Sequence, residues 1–243
     1  MPNAEIRIRR EPYYRSEAIT AGMRRLGYEI VPSVRPAPGN VLVLWNRKTG
    51  RDDADATAME KAGGKVLVIE NGYLQKVDKT MYAVSLSEHH TGGPVGDTDR
   101  FSALGFEIQP MRPSVGDGVV LVCGQRGIGS PRMASPPQWA VKKAAELRRH
   151  SEVVRVRPHP GNTAPRVPLQ DDLRGVDCVH VWSSNAGVMA LVLGRYVVSW
   201  APCWACANWR LMGRESALQC MAWSQWSPAE IATGEPFARL LQC

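Results

Sequence analysis

Two short segments carry the side chains best suited to holding an anion. In VRVRPHPGN (154–162), where an apolar run ends, Arg157 precedes Pro158, His159 stands between Pro158 and Pro160, and Gly161 follows. In WSSNAG (182–187), Ser183 and Ser184 precede Asn185, where a helical pattern begins. Serine hydroxyls cap a helix start, and the free N–H groups and dipole of its first turn favour negative charge. A guanidinium, an imidazole, two hydroxyls and a helix N-terminus together suit a phosphate. The matching chemistry is a nucleoside mono- or diphosphate leaving group, whose charge grows as its bond to a sugar breaks. Taken alone, His-Pro marks a turn and Ser-Ser a cap; their order on two strands of one α/β unit favours the joint phosphate site.

Open parallel sheets bind ligands beyond the carboxyl ends of their strands, so the elements leading into these segments matter. Hydrophobic patterning alternates strands and helices. Residues 4–8, 40–45 and 65–70 read as strands, with helices over 15–28 and DDADATAMEKAGG; the continuous runs NVLVLW and KVLVIE suit strands covered on both faces. YAVSL is a further strand, EHHTGGPVGD a loop, and the Pro- and Gly-containing stretch 108–118 a linker. The pattern then restarts, with strands over 118–124, 153–158, 176–182 and 196–200 and helices over 138–150 and 185–194. The expected architecture is α/β: two Rossmann-like domains facing across a cleft, residues 1–112 and 113–225, with 226–243 as a helix packing back on the first. Ser227-Pro-Ala-Glu230 has the form of a capped helix start, and Pro236 is expected to interrupt the helix that starts there.

A chain of 243 residues can bury a full core, as one large domain or two small ones. Its hydrophobic content of 44% and charged content of 22% are those of a globular protein, and no apolar run approaches the roughly 20 residues that cross a bilayer. The start, MPNAEIRIRR, lacks the apolar core of a signal peptide, so the expected location is cytoplasmic and no membrane partner is expected. The formal charge of +7 biases the chain toward polyanions. Arg7, Arg9, Arg10, Arg15, Arg24 and Arg25 crowd its opening, with Tyr13 and Tyr14 among them. Six cysteines are too scattered for a disulfide framework. Cys203-Trp-Ala-Cys206 has metal-ligand spacing but no second pair, so no metal or cofactor is expected.

RPHP and VDCVHVWSSNAGVMALVLGRYVV resemble the His-Pro and Ser-Ser motifs of GT-B glycosyltransferases of the bacterial capsule, Kdo-transferase and sialyltransferase type, and of related glycerophosphotransferases. LGFEIQPMRP, LVCGQRGIGSP and WSQWSPAEIATGEPF resemble small phage proteins that are shortened relatives of these enzymes. The resemblance covers most of residues 85–243 and implies a GT-B-like fold and a nucleotide-sugar donor, UDP- or CMP-linked. It places the donor phosphate at His159, Ser183 and Ser184, with Arg157 and Asn185 beside them. The loop Gly124-Gln125-Arg126-Gly127 falls where such enzymes also approach the donor, and Arg126 is suited to a second phosphate oxygen. The acidic pair followed by glycine of the sialyltransferases is absent; the nearest stretch is Glu70-Asn71-Gly72, at a strand exit.

Activating an acceptor hydroxyl needs a carboxylate or imidazole within hydrogen-bond reach. Glu70, Glu88, His89, His90 and Asp97 are the candidates, with Glu70 and His89 preferred. Phages place sugars on hydroxymethylated pyrimidines of their DNA, and a positive surface would hold the phosphate backbone while an extruded base enters. The expected acceptor is therefore 5-hydroxymethylpyrimidine in phage DNA, in the host cytoplasm, with Arg9, Arg10, Tyr13, Tyr14 and Arg15 as backbone and stacking contacts. Two alternatives stand beside it: a glycosyltransferase or glycerophosphotransferase of surface polysaccharide, and a non-catalytic nucleotide- or DNA-binding protein of the same shape. The eight tryptophans read as packing residues, with Trp204 and Trp209 singled out for acceptor contact.

Overall fold

The computed structural model describes residues 1–74, 81–113, 118–150, 153–161, 167–201 and 205–242. The chain opens with β1 (Asn3–Arg7), α1 (Ser16–Arg25), β2 (Glu29–Ile30), β3 (Val41–Trp45), α2 (Arg51–Lys61), β4 (Lys65–Asn71) and β5 (Tyr82–Leu86). It continues with α3 (Arg100–Ala103), β6 (Val119–Cys123), α4 (Trp139–Leu147), β7 (Val154–Arg157), α5 (Leu169–Asp172), β8 (Val176–Val181), α6 (Asn185–Val192) and β9 (Tyr196–Ser199). It closes with α7 (Trp209–Met212), α8 (Arg214–Ala222), β10 (Gln225–Trp226), α9 (Pro228–Thr233) and α10 (Glu235–Leu241).

These elements form two compact α/β units. The first gathers Met1–Thr98, Gly129–Pro131 and Cys220–Cys243, the second Asp99–Ile128 and Arg132–Gln219. The sequence boundaries at 112 and 225 differ from these, because 99–112 groups with the second unit and the return to the first begins at Cys220.

The first unit is built on a six-stranded sheet of order β10-β5-β4-β3-β1-β2. β2, β1, β3 and β4 run parallel, while β5 and β10 are antiparallel additions. Val41 to Leu44 are all buried because helices cover both faces of β3. On one face Ala4, Val43, Leu67 and Ile69 pack with Ile19 and Met23 of α1 and with Ile231 and Phe237 of the last two helices. On the other, Leu42, Leu44, Val66 and Val68 meet Ala56 and Met59 of α2.

The capped helix start forms as its residue types dictate. Ser227 Oγ accepts from the Glu230 N–H at 3.3 Å, and Glu230 Oε2 accepts from the Ser227 N–H at 2.8 Å. Pro236 does not break one helix. Gly234, at φ +85°, ends α9, and Pro236 sits in the first turn of α10, where its missing N–H costs nothing.

The second unit carries a four-stranded parallel sheet of order β7-β6-β8-β9. Val122 is in register with His180 and Val156, so the carboxyl ends of β6, β7 and β8 lie side by side. Trp139 and Ala144 of α4 cover Val122 and Val154.

α1 and α9 approach so closely at Gly22 that a Cβ there would lie 2.2 Å from the Ile231 carbonyl oxygen and 2.7 Å from the Phe237 ring. Alanine for glycine inside a helix ordinarily stabilises by about 0.5–1 kcal/mol. Here the added methyl must push helices apart, so Gly22→Ala is expected to destabilise by about 1–3 kcal/mol. Urea unfolding checks the sign; a midpoint at or above that of the parent would contradict the close α1–α9 contact.

Candidate active site

In β4 and β5, Val68 stands opposite Ser85, Glu70 opposite Ala83 and Asn71 opposite Tyr82. Opposed residues share a face and successive residues alternate. Glu70 and Ser85 therefore lie with Val68 on the α2 side, while Asn71 and Tyr82 lie with Ile69 on the α1 side. Glu70 is 9% exposed, Tyr73 3%, His89 2% and His90 7%. The segment read as an ordinary loop is thus an interior wall at His89 and His90.

Three groups converge on Glu70. Its Oε1 accepts the Tyr73 hydroxyl and the backbone N–H of His90, the latter at 3.1 Å. The same N–H is 2.9 Å from the Tyr73 oxygen. The His90 ring stacks on Tyr73 with centroids 4.8 Å apart, and its Nε2 is 3.8 Å from Glu70 Oε2. His90 takes φ +59°, a left-handed conformation uncommon outside glycine, which carries the chain around the carboxylate. Burial lowers the His90 pKa to about 4, outweighing the opposite pull of Glu70. Burial and the Glu70 charge hold the Tyr73 pKa well above its ordinary value, so its hydroxyl remains a donor. His89 Nδ1 is buried with no hydrogen-bond partner among the described residues.

The other base candidates are differently placed. Both oxygens of Glu88 accept from Ser130 Oγ, at 2.9 and 2.7 Å, and Asp97 is exposed. Among the proposed acceptor contacts, Arg9, Arg10, Tyr13 and Arg15 are exposed and Tyr14 half-buried. The Tyr13 hydroxyl donates to Asn71, Tyr82 donates to the Tyr13 carbonyl at 2.7 Å, and Tyr14 meets Trp45 edge-on at 4.8 Å. Arg10, Arg15 and Ser16 help line a cavity of about 280 Å³, together with Glu11 and Glu17. Through Asn71 and Tyr82, the tyrosines belong to the α1 side of the sheet, the side opposite Glu70.

In the second unit, the loop leaving β6 meets the loop leaving β8. Gln125 Nε2 donates to Ser183 Oγ at 3.1 Å, and the Ser183 N–H donates to Gln125 Oε1 at 2.7 Å. Ser183 is 1% exposed, so this pair is a clamp between strand exits. Ser184 caps α6, its Oγ accepting from the Ala186 N–H at 3.3 Å, and Asn185 opens the helix half-buried. Gly124 donates its N–H to the Arg157 carbonyl at 2.8 Å.

His159 and Arg126 come together over Gly161, where a Cβ would meet His159 Nδ1 and the Arg126 side chain, both at 3.1 Å. Gly161 also donates its N–H to His159 Nδ1 at 2.9 Å. Burial, then the Arg126 charge, lowers the His159 pKa. Arg157 is not the free guanidinium expected: its Nη1 is taken by Asp172 and by the Val167 carbonyl, the latter at 2.9 Å.

Asp-x-Asp spacings occur at Asp53-Ala-Asp55 and Asp97-Thr-Asp99, a pattern that can hold a metal on a diphosphate. Here Asp53 pairs with Arg47 at 2.8 Å, Asp55 with Arg7 at 2.7 Å, and Asp99 accepts the Ser102 N–H at 3.0 Å as the cap of α3. Among the described residues no group of His, Cys, Asp and Glu forms a metal-binding cluster. Cys206 is buried, and Cys203 and Trp204 lie outside the described residues. Trp209 Nε1 donates to the Val197 carbonyl at 2.9 Å, a packing role. No described helix is long and apolar enough to cross a membrane.

Sequence reasoning missed Tyr73, two residues past the end of β4, because only the turn that follows the strand brings its hydroxyl back to Glu70. It also missed Lys143 of α4, which lies 3.7 Å from the Trp200 ring centre. The Trp200 indole donates to His180 Nδ1 at 3.3 Å. A histidine inside the apolar strand VDCVHV was the available signal for this second group.

No family model matches the chain, and no curated protein matches it. Among solved structures, it is similar to a β-Kdo 2,7-transferase chain of KpsC from Thermosulfurimonas dismutans, at 14% identity and a TM-score of 0.52, covering 98% of this chain and 99% of that one. A β-Kdo 2,4-transferase chain of KpsC from the same organism matches at 13% identity and a TM-score of 0.44, covering 81% and 79%. The first likeness establishes the α/β fold the two chains share.

Burial and Lys143 lower the His180 pKa to about 4, and burial does the same for His90. Between pH 6.5 and 4 the unfolded chain therefore binds protons that the folded chain refuses, so these groups make stability rise with pH across that window. Full stability is expected above pH 6.5, with progressive loss on acidification toward 4. Urea midpoints measured from pH 7 to 4.5 check this, and His180→Gln should flatten the slope; an unchanged slope would contradict the neutral buried His180.

Proposed function

We propose that the chain is a glycosyltransferase that moves a sugar from a UDP- or CMP-linked donor to an acceptor hydroxyl. The observation that carries the reading is the buried Glu70 at the carboxyl edge of β4, with one oxygen held by Tyr73 and His90. Ends of parallel strands are where α/β sheets place ligands, and the fold shared with a sugar transferase over nearly its full length supports the same chemistry.

In this reading Glu70 takes the proton of the acceptor hydroxyl as that oxygen bonds to the anomeric carbon. The bond from that carbon to the donor phosphate breaks, and its electron pair stays on the phosphate. Arg126 and His159, together with Ser184, Asn185 and the N–H groups opening α6, meet the growing charge. Gln125, Ser183, Gly124 and Arg157 hold the loops that present them. His89 is the second candidate to hold a proton, and no metal is assigned a role.

For the acceptor we favour a 5-hydroxymethylpyrimidine in phage DNA. The exposed Arg9, Arg10, Arg15 and Tyr13 and the +7 charge suit a phosphate backbone; Tyr13 belongs to the sheet side opposite Glu70, so in this reading the extruded hydroxymethyl arm reaches around the carboxyl end of β4 to the buried carboxylate. A glycan hydroxyl is the second reading, favoured by the full-length likeness to a Kdo transferase chain.

Mass spectrometry of the acceptors, as nucleosides for DNA and intact for oligosaccharides, tests both. Hydroxymethylated duplex, unmodified duplex and capsular oligosaccharides are each incubated with the protein and a panel of nucleotide sugars. A sugar-sized mass gain confined to hydroxymethylated DNA, reduced about 10²-fold or more in Glu70→Gln, is the expected outcome. Gain on oligosaccharide alone would transfer the reading to glycans. Donor-dependent thermal stabilisation with no gain on any acceptor would leave a nucleotide-binding protein and overturn the transferase reading.

A further inference from the structure

A carboxylate has two chemically equivalent oxygens, and a base that presents either at random wastes encounters. Around Glu70 the equivalence is removed. Oε1 accepts the Tyr73 hydroxyl and the His90 N–H, while Oε2 has, among the described residues, the edge of the His90 ring near it, at 3.8 Å. Tyr73 is itself fixed: it is 3% exposed, it stacks on His90, and the His90 N–H lies 2.9 Å from its oxygen. The Tyr73 ring and the left-handed turn at His90 thus grip one side of one carboxylate.

We propose that Tyr73 is a positioning residue which, with the backbone N–H of His90, commits Oε1 of Glu70 to a fixed cradle and leaves Oε2 as the oxygen that takes the acceptor's proton. This rests on the glycosyl-transfer reading. The acceptor O–H proton moves to Oε2, the acceptor oxygen bonds to the anomeric carbon, and the donor's carbon–oxygen bond releases its electrons to the phosphate. Tyr73 exchanges no proton in this step, because it remains a hydroxyl donor throughout. Its contribution is orientation, which sets the rate of the chemical step and leaves the affinity for either substrate alone.

The test is Tyr73→Phe, which keeps the ring and its stacking and deletes only the hydroxyl. In the transfer assay kcat is expected to fall about ten- to a hundred-fold, with KM for donor and acceptor within about twofold of the parent. A second measurement does not need turnover. Infrared difference spectra, parent minus Glu70→Gln, isolate the Glu70 carboxylate bands, whose splitting widens when hydrogen bonds load one oxygen more than the other. The same difference taken in the Tyr73→Phe background is expected to show a narrower splitting, with the variant losing some thermal stability, since a buried carboxylate loses a donor, yet remaining folded at the assay temperature.

An unchanged kcat, or a rise in KM with kcat intact, would overturn the positioning role. Unchanged carboxylate bands would overturn it as well, whatever the kinetics. If the parent protein transfers no sugar to any acceptor, the transferase reading fails, and the infrared comparison alone still decides whether Tyr73 makes the two oxygens of Glu70 inequivalent.

Discussion

A carboxylate buried at the end of a strand is tolerated only if the surrounding chain supplies hydrogen bonds, since desolvating it unpaired would cost several kcal/mol. Much of the first unit's local structure comes from meeting that requirement at Glu70. The chain must return after β5 close enough to offer a backbone N–H, and it does so through left-handed residues at Ser87 (φ +67°) and His90 (φ +59°). That corner is itself tied down. Arg47, 5% exposed, donates to the Ser87 carbonyl at 2.9 Å while pairing with Asp53 and Glu60 of α2. Ser130 occupies Glu88 one residue before the histidines. A strained turn therefore persists because charged and polar groups on several sides determine its position.

The second unit solves a different problem at its strand exits. Its loops carry polar side chains that would be loosely arranged if left to solvent, and pairing some of them fixes the rest. Gln125 and Ser183 join the β6 and β8 exits through a two-way amide–serine contact. Asp172 and the Val167 carbonyl engage Arg157 at the β7 exit. The groups left facing outward are narrower than the motif itself: Arg126, half-buried His159, and the capped start of α6.

Long apolar strands and capped helices were legible from composition and spacing because both depend on local chemistry. NVLVLW, KVLVIE and VDCVHV became β3, β4 and β8, and the Ser227–Glu230 box formed as written. β2 and β10, two residues each, were not legible, since they exist only by pairing with a neighbour distant in the chain. The candidate site divides the same way. Glu70 was visible as an acid at a strand exit; Tyr73 was not, because its meaning comes from the fold-back that sets its hydroxyl on Oε1. Arg157 had the right type and place for an anion ligand, and Asp172, fifteen residues away, reassigned it. His89 and His90 sat in a glycine-rich stretch that resembled solvent-exposed loop, and tertiary packing buried them.

The sheet of the first unit is finished by a strand from the far end of the chain. β10 pairs with β5, α9 packs on α1 at Gly22, and the whole of Asp99–Ile128 intervenes in sequence, followed by Arg132–Gln219. During synthesis the second unit will have emerged from the ribosome with all its own strands before the first can close its apolar face. Until residues 220–242 arrive, Ile19, Met23, Val84 and their neighbours lack the cover that Trp226, Ile231 and Phe237 provide. The nascent protein should therefore complete its second half first and depend longest on chaperones at its beginning.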